Sequence, residues 1–426
     1  MKLLRKIVGI ACVTMLLGCG LAVITTDAVA ISAPSWQSTT PMSVERAQAA
    51  FVQSGNTEYI VGGYNTTSTN SVTNTIMIYD LKSMTASLGP DAPLKFRGAN
   101  GATGSDGRIY VFGGRDAGNN VLSATQIYNP SNRTWIMGPS IPIPVSSPAT
   151  VAVGSSIYLI GGTTASTYTN AVQILDTNAM TWSYGGVIPV PTAGAKAVAF
   201  SSGLILTFGG MNATGASTDI FQYFFGWSIK GQMPSPLIYH GVSMGADGLI
   251  YVVGGVNNTG LIPATVGSSF RYDFAASQWT TLPKLLEPVQ GAGMATTLDG
   301  RVIMFGGANA TYAPKTTVEF LQVMSRSVTQ SPPVGIQTGQ SGFFSVTLTS
   351  TFRPLQKITG TYSLLNATGV VYATGNFSSI SGNTAVFEVA MQQKAPAGTY
   401  ILNIKNGQAY FSTDTVAMLF DNLLYR

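Results

Sequence analysis

A chain of 426 residues in which 45% are hydrophobic and only 9% charged can build an extensive core but has few ions to solvate it, where about 25% charged residues are usual. Ser and Thr, 87 in all, fill that role beside 48 Gly and 21 Pro, a turn-rich composition that excludes coiled coils and helical bundles. A single histidine, His240, and two cysteines, Cys12 and Cys19, remove most metal, disulfide and catalytic-triad chemistry.

At the N-terminus, Lys2, Arg5 and Lys6 precede an uncharged apolar run from Ile7 to Ile24, and Ala28-Val29-Ala30 follows as a small-residue cleavage site. This is the layout of an export signal over residues 1–30. Cleavage competes with lipidation at Leu16-Leu17-Gly18-Cys19 and with retention as an N-terminal anchor, since the run is nearly long enough to span a bilayer. All three place the remainder outside the cytoplasm, extracellular or at the cell surface. Without residues 1–30 the chain keeps 19 basic and 16 acidic residues and no cysteine. That balance is nearly neutral, with no basic stripe, so nucleic acid is not an expected partner. Contact with a membrane is expected only through the N-terminal anchor or a lipidated Cys19.

From there a short apolar run closed by a Gly-Gly doublet recurs six times, at Gly62-Gly63, Gly113-Gly114, Gly161-Gly162, Gly209-Gly210, Gly254-Gly255 and Gly306-Gly307, with spacings of 51, 48, 48, 45 and 52 residues. The runs, such as Ile109-Tyr110-Val111-Phe112, are continuous rather than alternating, as expected of strands buried on both faces. Asp106-Gly107, Asp247-Gly248 and Asp299-Gly300 stand before three of them, a signal for a tight two-residue hairpin. These aspartates are read as turn residues, because none has the spacing of a calcium loop. Downstream of the doublets a second strand often ends in an aromatic, as in Tyr79-Asp80, Tyr128-Asn129 and Tyr272-Asp273, before Trp135, Trp182, Trp227 or Trp279. Repeat one carries Met84-Thr85 where a tryptophan is expected, and the sixth unit lacks a tryptophan strand.

A repeat of about fifty residues with these landmarks resembles the kelch repeat, and six doublets imply a six-bladed β-propeller over residues 31–325. Trp36 stands alone before the first repeat. Its strand is expected to complete blade six and close the ring, leaving no open sheet edge. Beyond residue 326 the doublets stop and period-two alternation begins, in Phe344-Val346-Leu348, Ile358-Gly360-Tyr362-Leu364, Phe387-Val389-Met391 and Tyr400-Leu402-Ile404. With Ser331-Pro332-Pro333 as the linker, residues 326–426 are read as an immunoglobulin-like β-sandwich. The fold class is thus all-β throughout.

An exported kelch propeller followed by such a domain resembles the arrangement of galactose oxidase. That resemblance implies a copper radical site built from two histidines, two tyrosines and a cysteine, an inventory this chain does not have. Structural zinc is excluded by lack of ligands. No catalytic residue, metal site or cofactor is therefore assigned. Exported kelch proteins also include a sialic-acid mutarotase, so a metal-free sugar isomerase is carried as the alternative, at the level of fold alone. The reading preferred is a non-enzymatic binding protein that recognises an extracellular glycan or protein, acidic in character, through one propeller face.

Kelch propellers bind through the loops after the doublets and those entering the blades, which implies Arg46, Tyr64, Arg97, Arg115, His240 and Gln290 as candidate ligand contacts. Three guanidinium groups on blades one and two suit a carboxylate or sulfate. Against this, Glu45 and Asp116 stand beside Arg46 and Arg115 and could neutralise them as rim ion pairs, while His240 reads either as a loop residue bonded to backbone or as a ligand contact. Seven Asn-x-Ser/Thr sequons, at Asn65, Asn132, Asn212, Asn257, Asn309, Asn366 and Asn376, mark the chain as a candidate glycoprotein. Four of them follow a doublet closely and would crowd the same face.

Overall fold

The structure, a computed structural model, describes residues 34–66, 71–258, 263–330, 340–350, 355–366, 368–379, 383–390, 395–396, 398, 400–411, 418–420 and 423–425. The export signal, Cys12, Cys19, Met391 and the Ser331-Pro332-Pro333 linker lie outside the described residues.

Residues 34–323 form six antiparallel four-stranded sheets. Blade 2 shows the pattern: Asn100–Thr103, Ile109–Phe112, Thr125–Asn129 and Thr134–Met137 pair in sequence order. The first strands of successive blades neighbour one another all the way round, including the first strand of blade 6 against that of blade 1. The doublet strands are the second strands, and Ile109–Phe112, Ile205–Phe208 and Ile250–Val253 are buried at every residue. Each is covered on both faces by a neighbouring blade, which is why its sequence does not alternate.

The doublet glycines sit where the chain leaves that strand against the next blade. A Cβ on Gly113 (φ +63°) would lie 2.1 Å from the carbonyl oxygen of Val145. Only glycine fits both the left-handed backbone and that approach.

Blade 6 is completed from the other end of the propeller. Gln37–Ser38 pairs with Val318–Gln322, Gln37 opposite Phe320 and Ser38 opposite Glu319, as the orphan tryptophan implied. Trp36 is 2% exposed and packs with Leu282, Leu321 and Val323. It also fills the tryptophan role of the other blades. Trp135, Trp182 and Trp227 donate their indole N–H to the backbone carbonyls of Pro90, Pro139 and Gly185 in the preceding repeat, and Trp36 donates to Ser269 Oγ of blade 5 at 3.1 Å.

Two local expectations are corrected. In blade 1 the residue opposite Tyr79 is Ala86, not Met84; Met84 has φ +57° and precedes the outer strand, where Arg133, Met180 and Ser277 sit in other blades. The Asp-Gly pairs do not make two-residue hairpins. In blade 2 the strands part at Thr103 and Ile109, leaving a five-residue connection in which Asp106 accepts from the Arg108 backbone N–H and the Tyr110 hydroxyl. Asp247 does the same for Leu249 and Tyr251 in blade 5. The two-residue turns are those of Gly55-Asn56 and Gly154-Ser155.

Beyond the propeller lie two further antiparallel sheets. Met324–Gln330, Ser341–Ser350 and Thr384–Ala390 form one; Val371–Ser378, Leu355–Asn366, Tyr400–Phe411, Met418–Phe420 and Leu423–Tyr425 form the other. Phe344, Val346, Leu348, Ile358, Leu364, Phe377, Phe387, Val389, Leu402 and Ile404 make one buried core from both sheets. That layout fits a β-sandwich. Met324, at the start of the first of these sheets, and Ala246 of the propeller join the same core.

Candidate functional site

At the residue after each doublet the chain makes one more backbone bridge, to the loop that enters the blade. The pairs are Ala47–Tyr64, Arg97–Arg115, Ser146–Thr163, Ala193–Met211, Ile238–Val256 and Gln290–Ala308. The next residue of each entering loop, Gln48, Gly98, Ser147, Gly194, Tyr239 and Gly291, has φ between +50° and +69°. These six close a hydrogen-bonded circle about the axis. Gly98 N–H donates to Gln48 O, Ser147 to Gly98, Gly194 to Ser147, Tyr239 to Gly194, Gly291 to Tyr239 and Gln48 to Gly291, at 2.6–3.0 Å.

Glycine alternates with a side-chain-bearing residue round this circle. Each non-glycine lies over the preceding glycine: Cβ atoms built on Gly98, Gly194 and Gly291 would meet Ser147 Oγ, the Tyr239 ring and Gln48 Cγ at 3.2, 3.0 and 3.0 Å. Left-handed backbone costs an L-residue roughly 1–2 kcal/mol, so Gln48, Ser147 and Tyr239 are held against local preference at the mouth of the axis. Strain of this kind clusters at binding sites.

Of the six candidate contacts, two are well placed for a ligand. Arg97 and Arg115 exchange both backbone hydrogen bonds, at 2.9 and 2.8 Å, and one residue clamps both side chains. Arg97 Nη2 donates to Asn119 Oδ1 and Arg115 Nη1 to Asn119 O, each at 2.9 Å. Arg115 Nη2 also reaches the Thr164 carbonyl at 3.1 Å. The ion pair expected with Asp116 is not formed, because that carboxylate is taken by the side chain and backbone of Asn120. Among the described residues neither guanidinium has a carboxylate in ion-pairing range.

The other four are corrected. His240 is wholly buried. It lies two positions beyond Ile238, its blade's bridging residue, where the other blades carry Ala49, Ala99, Pro148, Ala195 and Ala292. Its side chain fills space against Gly209 and Gly255 rather than reaching the face, and burial, with the nearby Lys196 charge, brings its pKa down to about 3. Arg46 is 1% exposed. It precedes the bridging Ala47 by one residue, so it turns away and donates to Thr75 Oγ1 at 2.7 Å and to its neighbour's carbonyl. Tyr64 is buried with Ala47 and Ala308, and that burial pushes its phenol up to about 12. Gln290 is buried against Thr265 Oγ1. The three guanidinium groups do not form one cluster.

Two contributors escaped the sequence: Asn119 and Tyr239. Tyr239 is partly buried beside the arginines. Desolvation raises its phenol, while Ser147, Arg97 and Arg115 pull it back. Nothing local marks these residues, since their roles come from the ring and from a loop clamp between two strands.

On the strand side of the ring the axis holds a second polar group. Lys196 Nζ crosses from blade 4 to Asn100 Oδ1 of blade 2 at 3.1 Å, and Asn100 Nδ2 donates to Pro148 O at 2.6 Å. Glu58 is fully buried with no hydrogen-bond partner at either carboxylate oxygen. Desolvation drives its pKa well up, against the pull of Lys196. No cluster of three or more His, Cys, Asp or Glu able to hold a metal occurs among the described residues. Of the sequons, Asn132, Asn212, Asn309 and Asn366 each accept from the hydroxyl of their own Thr at 2.7–2.9 Å in turns. Asn65 and Asn257 follow their doublets at the axial end of blades 1 and 5, and Asn376 lies in the strand Val371–Ser378.

Six four-stranded sheets, each with a buried doublet strand, and a ring closed by an N-terminal strand define a kelch-repeat β-propeller. The family model described as the KLHDC2/KLHL20/DRC7 Kelch-repeats domain matches residues 48–226. Alpha-scruin of Limulus polyphemus is 32% identical over 111 residues, 25% of this chain and 12% of that protein. Beta-scruin of the same organism is 35% identical over 74 residues, 17% of this chain and 8% of that protein. The chain thus covers about a tenth of the length of these curated relatives. The solved structure of YjhT aligns with a TM-score of 0.57 at 16% identity, covering 67% of this chain and 96% of that one, a likeness of fold alone.

Proposed function

We propose that this chain is an exported or cell-surface binding protein whose propeller recognises a glycan or protein ligand carrying an anionic group, at the blade-2 sector of its axial face. One observation carries the reading: Arg97 and Arg115 are aligned by Asn119 and satisfied only by neutral acceptors. Two like charges held side by side without an acid favour a ligand that brings one. The apolar run before Ala30 supports export. The alternative, a metal-free sugar isomerase, needs an acid–base group at the face, and the residue named for it, His240, is buried within the blades.

The test is binding to immobilised acidic and neutral glycans and to acidic and neutral peptides, at low and high salt. Acidic probes should bind preferentially and lose affinity as salt screens the arginines. Arg97→Ala with Arg115→Ala should weaken binding at least tenfold and flatten the salt dependence. Unchanged binding in the double variant overturns the site, and anomer interconversion of a free sugar by the wild-type protein restores the isomerase.

A further inference from the structure

The axial ring borders a cavity with about 30 Å³ of space for the centre of a water-sized sphere, lined by Asn100, Lys196, the ring residues Gln48, Ser147 and Tyr239, and small residues of the entering loops. Roughly 10–15 Å³ on that measure houses one water, so one or two waters, or one monatomic ion, fit. The charges beside it do not balance. Lys196 has three N–H donors, donates to Asn100 Oδ1, and has no carboxylate within ion-pairing distance among the described residues. The nearest acid that influences it is Glu58, whose oxygens are out of water and bonded to nothing. A carboxyl so placed is most stable with its proton on. The amine, although burial brings it down to about 8, stays cationic at neutral pH. An ammonium with spare donors, facing a small cavity and a neutral acid, lacks a counter-ion.

We propose that this cavity is a site for a monovalent, chloride-sized anion held by Lys196 Nζ beneath the ring, linking blade 4 to blade 2. It shares the ring residues Gln48, Ser147 and Tyr239 with the axial face but does not depend on the arginines. A larger anion does not fit, and a cation is repelled by Lys196.

Bromide is the probe. A crystal of the full chain soaked in sodium bromide should show an anomalous peak in the cavity, within hydrogen-bonding range of Lys196 Nζ. The melting temperature should be higher in sodium chloride or bromide than in sodium gluconate of equal ionic strength, by a few degrees at saturating halide, and Lys196→Met should remove that difference. Glu58→Gln should keep both signals, because an amide copies the protonated acid. Absence of the peak, with only water in the cavity, overturns the proposal. So does a halide response found in Glu58→Gln but not in the wild type, since Glu58 would then be the counter-ion. If Lys196→Met does not fold, the wild-type bromide map decides alone.

Discussion

Replacing Trp36 by alanine tests whether the propeller is held shut by its first described strand. The indole is 2% exposed. A tryptophan buries about 150–250 Å², which at roughly 25 cal/mol per Å² is about 4–6 kcal/mol as an upper bound. Alanine recovers a part, so the expected loss is about 3–5 kcal/mol, in the range of large-to-small core changes. Ser269 Oγ, 1% exposed, also loses its donor, which adds about 1 kcal/mol. Trp135→Ala is the control: that indole is only half-buried, and the carbonyl it leaves behind lies at an exposed edge, so it should cost clearly less. Urea unfolding of both variants, followed by tryptophan fluorescence and far-UV circular dichroism, reads the difference. A loss below about 1 kcal/mol for Trp36→Ala, or one no greater than for Trp135→Ala, would refute closure through this strand.

Gly113→Ala should destabilise by more than about 3 kcal/mol in the same assay, because its Cβ would stand 2.1 Å from the Val145 carbonyl at φ +63° and left-handed alanine adds its own cost. His240 gives a signed pH dependence. With its folded pKa lowered to about 3 and an unfolded value near 6.5, the unfolded chain binds the extra proton as pH falls below about 6.5. Stability from this group is therefore lost on acidification, by roughly 2 kcal/mol between pH 7 and 5 at about 1.4 kcal/mol per unit. Asp247, raised to about 6, and Glu58, also raised, act in the opposite direction. The readout is thus the difference in slope between wild type and His240→Gln, and equal slopes would show that His240 does not stay neutral in the fold. Tyr239→Gly, which gives the ring four glycines and relieves one left-handed side chain, should leave the melting temperature within a few degrees while weakening the acidic-probe binding read with Arg97 and Arg115. Full binding by that variant removes Tyr239 from the site.

The repeat determined the architecture by itself, because each blade writes the same local demands into the chain: an apolar run covered on both faces, then glycines where strands crowd. Six doublets and one orphan tryptophan sufficed for six sheets and their closure, and the poverty of His and Cys left no ligand set for a copper radical site. What sequence could not settle was register. Side chains in extended backbone alternate in direction, so a count off by one reverses them. Arg46 lies one residue before the bridging Ala47 and is buried, whereas Arg97 is itself the bridging residue and reaches the face. His240 lies two beyond Ile238, where a blade has room only inside. Loops of unequal length shift that count from blade to blade. Only the closed ring of backbone hydrogen bonds, made by residues up to 243 positions apart (Gln48 N–H to Gly291 O), decided which side chains meet at the axis.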